Sequence, residues 1–96
     1  MKFYCISDID SAICFKLLNI ETFGVRDKDE TLDVFKKVIK LEDAGIVLVT
    51  DSVSNFVQKE IMAFKRKNNR PLILEIPSYA NTVKKYGRKQ NGNKNR

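Results

Sequence analysis

Residues Gly45-Ile46-Val47-Leu48-Val49-Thr50 constrain the fold more than any other stretch of the chain. The run is apolar at successive positions, so a strand built from it presents apolar side chains on both faces. Such a strand needs cover on both sides, which is the situation of a central strand in a parallel sheet. The run is also far short of the roughly 20 apolar residues a membrane span requires. On either side the pattern alternates strand with helix. Lys2–Ser7 and Ile20–Val25 read as strands. Pro71–Pro77 reads as a fourth, with proline at its first position, where a ladder donor is least needed. Between them lie helices. The first carries Ile13, Leu17 and Leu18 on one side and ends near Asn19, a residue that tolerates a left-handed C-cap. The second opens at Asp29 and places Leu32, Phe35, Val38 and Ile39 at helical spacing. The third follows Asp51 or Ser52 with Val53, Phe56, Val57, Ile61 and Phe64. Strand–helix–strand repeated three times predicts a parallel sheet with right-handed crossovers. The expected architecture is a small α/β domain over 1–78, four strands in the order 2-1-3-4, flavodoxin-like or receiver-like. Val47, Leu48, Val49, Ile73 and Leu74 should form its buried centre, under Phe35, Phe56, Val57, Ile61 and Phe64.

The charge is unevenly placed. The 96-residue chain has 18 Lys and Arg against 12 Asp and Glu, a net charge of +6. All the acids and twelve of the cations fall within residues 1–75, which are therefore neutral. Lys84, Lys85, Arg88, Lys89, Lys94 and Arg96 make the last segment, 79–96, a basic tail. A basic arm can hold phosphates by counterion release, but this one lacks interleaved aromatics for base stacking. A solvated terminus accounts for it equally, and nucleic acid is not an expected partner. Within the tail, Tyr79, Val83 and Tyr86 share one face of a short helix.

Several chemistries are absent from the composition. There is no histidine, so Ser-His-Asp and Cys-His nucleophile systems are excluded. The two cysteines, Cys5 and Cys14, are too few for a four-cysteine zinc site. They are expected to be free thiols in a reducing compartment. No phosphate-binding glycine loop occurs. The N-terminus lacks the form of a signal peptide, and a soluble cytoplasmic protein is expected.

In a doubly wound sheet, ligands bind beyond the carboxyl ends of the strands. Ser7, Asp8 and Asp10 arrive there from one side and Thr50, Asp51 and Ser52 from the other. Three carboxylates in one place suit Mg²⁺ or acceptance of a phosphoryl group, as in a receiver domain. The same Asp8, Asp10 and Asp51 also stand where helices begin, and capping uses them with no metal at all. Capping is the expected role. Glu75, in an apolar strand, suits either a catalytic carboxylate or a contact with a partner's basic residue.

Three segments in register resemble a known family. Ser7-Asp8-Ile9-Asp10-Ser11-Ala12-Ile13-Cys14-Phe15-Lys16-Leu17-Leu18-Asn19-Ile20 is similar to the opening of the F subunit of V-type and archaeal-type rotary ATPases, Gly-Asp-x-Asp-Thr-x-x-x-Phe-[Arg/Lys]-Leu-x-Gly-Ile. Gly45–Asp51 resembles its Gly-Ile-Ile-x-Ile-Thr-Glu/Asp, and Pro71–Ser78 its Pro-x-x-x-Glu-Ile-Pro-Ser. Ser7 and Asn19 depart from the usual glycines. The resemblance implies a non-catalytic central-stalk subunit that binds the coiled-coil D subunit. It would turn within the soluble ATPase sector formed with the A and B subunits, peripheral to the membrane. It would carry no cofactor or metal and no catalytic residue of its own, and would be a monomer when isolated. ATP hydrolysis or synthesis and H⁺ or Na⁺ translocation would lie on other subunits. On that reading Tyr79, Val83 and Tyr86 seat on the shaft, flanked by Lys84, Lys85, Arg88 and Lys89. The competing class, a receiver-like phosphoryl-accepting domain, needs a lysine after a fifth strand, and no apolar strand follows Pro77.

Overall fold

The computed structural model describes residues 2–78. Four strands form one parallel sheet: β1 (Lys2–Ser7), β2 (Glu21–Gly24), β3 (Ala44–Thr50) and β4 (Leu72–Ile76). Their order is β2-β1-β3-β4, the order the alternation predicts. The register sets Tyr4 beside Val47, Ile6 beside Val49 and Val47 beside Ile73. These side chains share one face of the sheet, because alternate residues of a strand point the same way.

Each helix starts and stops for a local chemical reason. Helix α1 (Ile9–Leu17) is capped by Asp8, whose carboxylate accepts from the Ser11 backbone N–H at 3.0 Å. It ends where Asn19 adopts φ 67°, with Ile20 N–H bonded to the Phe15 carbonyl and Asn19 N–H to that of Lys16. That pair of bonds is a Schellman motif, which uses a left-handed residue to satisfy the last carbonyls. Helix α2 (Lys28–Val38) begins just before the expected Asp29. Its cap is Asp27, which accepts from Glu30 N–H at 2.9 Å, while the Glu30 side chain accepts from Arg26 N–H at 2.8 Å.

The expected single third helix is broken. It consists of α3 (Asp51–Ser54), a 3₁₀ turn over Asn55–Val57, and α4 (Gln58–Lys67). Ser54 and Asn55 are residues that compete with helical hydrogen bonding, and Val57 sits at φ −128°. Val53, Val57 and Ile61 still point into the core, but Phe56 on the break is turned outward, 37% exposed, and does not cover the sheet as expected.

Among the described residues the main hydrophobic cluster lies on one face. Tyr4, Ile6, Val47, Val49 and Ile73 pack there under Phe35 and Val38 of α2, Val53, Val57 and Ile61. Phe35 meets Phe64 edge-on, with ring centroids 6.3 Å apart. Among the described residues, α1 is the helix on the opposite face, where it lies over β1 and β2. Its inward residues are small, Ser11 and Ala12, both buried. Gly24 permits the close approach: a Cβ there would stand 3.0 Å from Ile9 Cδ1 and 3.3 Å from Ala12 Cβ. The large residues of α1 therefore point away from the sheet. Ile13 is 59% exposed, Leu17 82% and Leu18 68%, so the apolar side of this helix is its outer side. Beyond α1, burial falls across the same face: Cys5 is buried, Leu48 half-buried, and Leu74, Leu72 and Phe3 exposed. The expectation that Leu74 belongs to the buried centre fails on this face.

Candidate functional site

The connections leaving β1 and β3 turn to opposite faces of the sheet, so the carboxyl ends of these strands frame the crevice where doubly wound folds hold ligands. In this chain the crevice is closed by its own hydrogen bonds. The Asp8 carboxylate accepts from Ser52 Oγ at 2.5 Å through one oxygen and from the Ser11 backbone N–H through the other. Ser52 Oγ also lies 2.9 Å from Thr50 Oγ1, and Ser7 Oγ donates to the Asp8 carbonyl at 2.9 Å. Ser7, Ser11 and Thr50 are fully buried. Asp51 opens α3; the cap position is Thr50, which makes no side-chain capping bond. The Asp51 carboxylate instead accepts from the Ser78 backbone N–H at 3.0 Å, tying the end of β4 to the end of β3. Asp10 is exposed in the first turn of α1, where a negative charge suits the helix dipole.

The three carboxylates thus take different positions. Among the described residues, no three His, Cys, Asp or Glu side chains gather closely enough to hold a metal ion. Burial pushes the Asp8 carboxyl up, but the hydrogen bonds from Ser52 and Ser11 outweigh it and hold the group below its ordinary value. The ionised form is the one the network stabilises. Sequence reasoning brought Ser52 to this edge without assigning it to Asp8, and it missed the link from Ser78. Both follow from strand order, which makes the ends of β1, β3 and β4 neighbours.

Glu75 lies outside this network. It is exposed, and its carboxylate accepts from Gln58 Nε2 of α4 at 2.9 Å. Cys5 and Cys14 are both free thiols. Burial, followed by the Asp8 charge, pushes the Cys5 thiol up to about 12, so it stays protonated and unreactive at neutral pH. Tyr79, Val83, Lys84, Lys85, Tyr86, Arg88 and Lys89 lie outside the described residues. No helix among the described residues is long and apolar enough to cross a membrane.

A site built this way holds the ends of three strands together. Comparison with known proteins agrees with the motif resemblance. The family model for the ATP synthase (F/14-kDa) subunit matches residues 4–93. The chain belongs to that family. It is 32% identical to the F subunit of the V-type ATP synthase of Fusobacterium nucleatum over 79 residues, which is 80% of this chain and 71% of that protein. It is 30% identical to the F subunit of the A-type ATP synthase of Thermococcus sibiricus over 95 residues, 94% and 85% of the two chains. The F subunit of the V-type ATP synthase of Clostridium botulinum matches at 30% over 82 residues, 85% and 78% of the two chains. Within this F/14-kDa chain, the motif residues Asp8, Asp51 and Ser78 join the strand ends, Asp8 through Ser52 and Asp51 through the Ser78 backbone.

Replacing Asp8 tests the joint. Asp8→Asn keeps a capping side chain but takes the charge from the hydrogen bonds of Ser52 and Ser11, and should destabilise the domain by about 1 kcal/mol. The folded-state carboxyl lies below its unfolded value. The stabilisation is therefore fully present above the ordinary carboxylate value near 3.9. It is lost as pH falls through the lower folded value. Denaturant melts of both proteins across that range should converge at the acid end. A difference that is independent of pH would mean that the charge of Asp8 contributes nothing.

Proposed function

We propose that this chain is a non-catalytic central-stalk subunit of a V-type or A-type ATP synthase, binding a coiled-coil shaft subunit and turning with it. The observation that carries the reading is the family match across residues 4–93. The relatives are themselves named as the F subunits of V-type and A-type ATP synthases. The carboxyl edge supports an accessory role, because its carboxylates serve the ends of strands and helices. On this reading catalytic sites reside on the A and B subunits. Rotation couples ATP hydrolysis or synthesis to H⁺ or Na⁺ movement elsewhere, and the subunit works on the cytoplasmic side, peripheral to the membrane.

Binding then depends on apolar surface. Seven large apolar residues exposed on the α1 side of the sheet give a helical partner a place to pack: Phe3, Ile9, Ile13, Leu17, Leu18, Leu72 and Leu74. Single exposed apolar residues are ordinary, but a grouped set marks an interaction face. Ile9, Ile13 and Leu17 at i, i+4 and i+8 form the kind of ridge that fits a groove on another helix. The C-terminal stripe of Tyr79, Val83 and Tyr86, flanked by Lys84, Lys85, Arg88 and Lys89, adds a second contact. The basic residues mainly speed encounter with an acidic shaft.

Removing residues 79–96 should leave the melting of the domain largely intact and weaken binding to the purified coiled-coil subunit at least about tenfold, roughly 1.4 kcal/mol. Calorimetric titration of the two proteins measures this directly. Unchanged affinity would place all binding on the domain, and no binding by the full chain would remove the shaft reading.

A further inference from the structure

The neutral domain is an electric dipole. In a parallel α/β fold every helix runs back from the carboxyl edge of the sheet to its amino edge, so helix ends sort to opposite edges. Asp8, Asp10, Asp27, Asp29, Glu30 and Asp51 gather at the carboxyl edge. The last turns of α1, α2 and α4 bring Lys16, Lys36, Lys37, Lys65, Arg66 and Lys67 to the amino edge. The loops after α2 and α4 add Lys40 and Arg70. With Lys2, nine cations stand there against Glu21, Glu42 and Asp43. Among the described residues the one ion pair is Lys2 with Glu21, at 3.6 Å. Asp43 is engaged by the Tyr4 hydroxyl at 2.8 Å.

Compensation of helix dipoles explains only part of this. A cation in the last turn is worth about 0.3–1 kcal/mol, and the effect fades beyond that turn. Lys40 and Arg70 lie past their helices. The end of α4 is closed by Asn68, whose backbone and side-chain nitrogens both donate to the Phe64 carbonyl. The cations around it are left projecting from the edge. The same edge contains a shallow recess of about 320 Å³ lined by Ile39, Leu41, Glu42, Ala44, Arg70 and Pro71. Its wall is mixed: Glu42 and Arg70 are charged, while Ile39, Leu41, Ala44 and Pro71 supply apolar surface, with Leu41 39% exposed.

We infer that the amino edge of the sheet is a docking surface for an acidic segment of a partner protein, with an aliphatic side chain in the recess and carboxylates on the surrounding cations. A recess of this volume, with apolar surface beside a carboxylate (Glu42) in its lining, suits a peptide segment better than a phosphate chain or a flat bilayer. This surface is distinct from the α1 side of the sheet.

The test uses the full chain and a blocked peptide, Glu-Glu-Leu-Glu-Glu, followed by amide chemical shifts at low salt. Saturable shifts centred on Leu41, Ala44 and Arg70 are expected. They should fade at physiological ionic strength, where the screening length is about 8 Å. Lys40→Glu with Lys67→Glu should weaken binding about tenfold or more. Lys28→Glu with Lys59→Glu makes the same change in net charge in the first turns of α2 and α4, at the opposite edge, and should leave binding near its starting value. Equal weakening by both pairs, shifts confined to the tail, or no saturable shift would overturn the inference. So would preferential binding of this edge to a thymidine oligonucleotide or to phosphatidylserine vesicles, which would assign it to nucleic acid or membrane instead.

Discussion

Val49→Asp unfolds the domain. Val49 is fully buried at the centre of β3, beside Ile6 and opposite the helices that close the core. An aspartate there stands between Ile6 on β1 and the acidic Glu75 on β4, with no cation among the described residues to pair it, and an unpaired buried carboxylate costs several kcal/mol even after its pKa rises. That is comparable with the whole stability of a domain this small, about 5–15 kcal/mol. Far-ultraviolet circular dichroism should show an unfolded chain at neutral pH. Val49→Ala, which only leaves a cavity, should remain folded with a lowered melting temperature. A cooperative, near-native melt for Val49→Asp would contradict the position of β3 in the sheet.

The second large effect concerns binding and should leave the fold alone. Ile13→Glu with Leu17→Lys changes two side chains that are 59% and 82% exposed on the outer side of α1. Each new charge has the sign that suits its half of the helix dipole, so stability should move by about 0.5 kcal/mol or less. If this ridge seats on the shaft, two apolar anchors are lost at once. Affinity for the coiled-coil subunit should fall about a hundredfold, or roughly 2.7 kcal/mol. Combining the pair with removal of residues 79–96 should abolish measurable binding. Undiminished affinity in the double variant would mean that the apolar side of α1 meets something other than the shaft.

The sheet was legible because its signals are local and periodic. The doubly apolar Gly45–Thr50 run, the alternating segments and the turn residues determine four strands and their order without reference to any distant contact. Asp8 and Asn19 likewise announce the ends of α1 through properties of their own side chains. What was not legible depends on distance. Ile13, Leu17 and Leu18 have the spacing of a packing stripe, yet Gly24 lets α1 lie so close that only Ser11 and Ala12 fit beneath it. The break at Asn55–Val57 preserves the inward direction of Val53, Val57 and Ile61, so the apolar spacing gives no sign of it. Leu74 and Leu48 read as core because a parallel strand is normally covered on both faces. Among the described residues no helix lies over β3 and β4 on the α1 side. At the carboxyl edge the aspartates were recognisable as candidates, but Ser52 and Ser78 became their partners only through strand order.

The most direct measurement for the central claim is isolation of the tagged full chain from its native host, with mass spectrometry of whatever accompanies it. The account predicts a stoichiometric complex containing a long coiled-coil subunit together with the nucleotide-binding subunits of an ATP synthase. It also predicts that Ile13→Glu with Leu17→Lys depletes all of them together, because the shaft is the link. Recovery of the chain alone, or with a phosphodonor kinase and an acyl phosphate on Asp8 or Asp51, would contradict it.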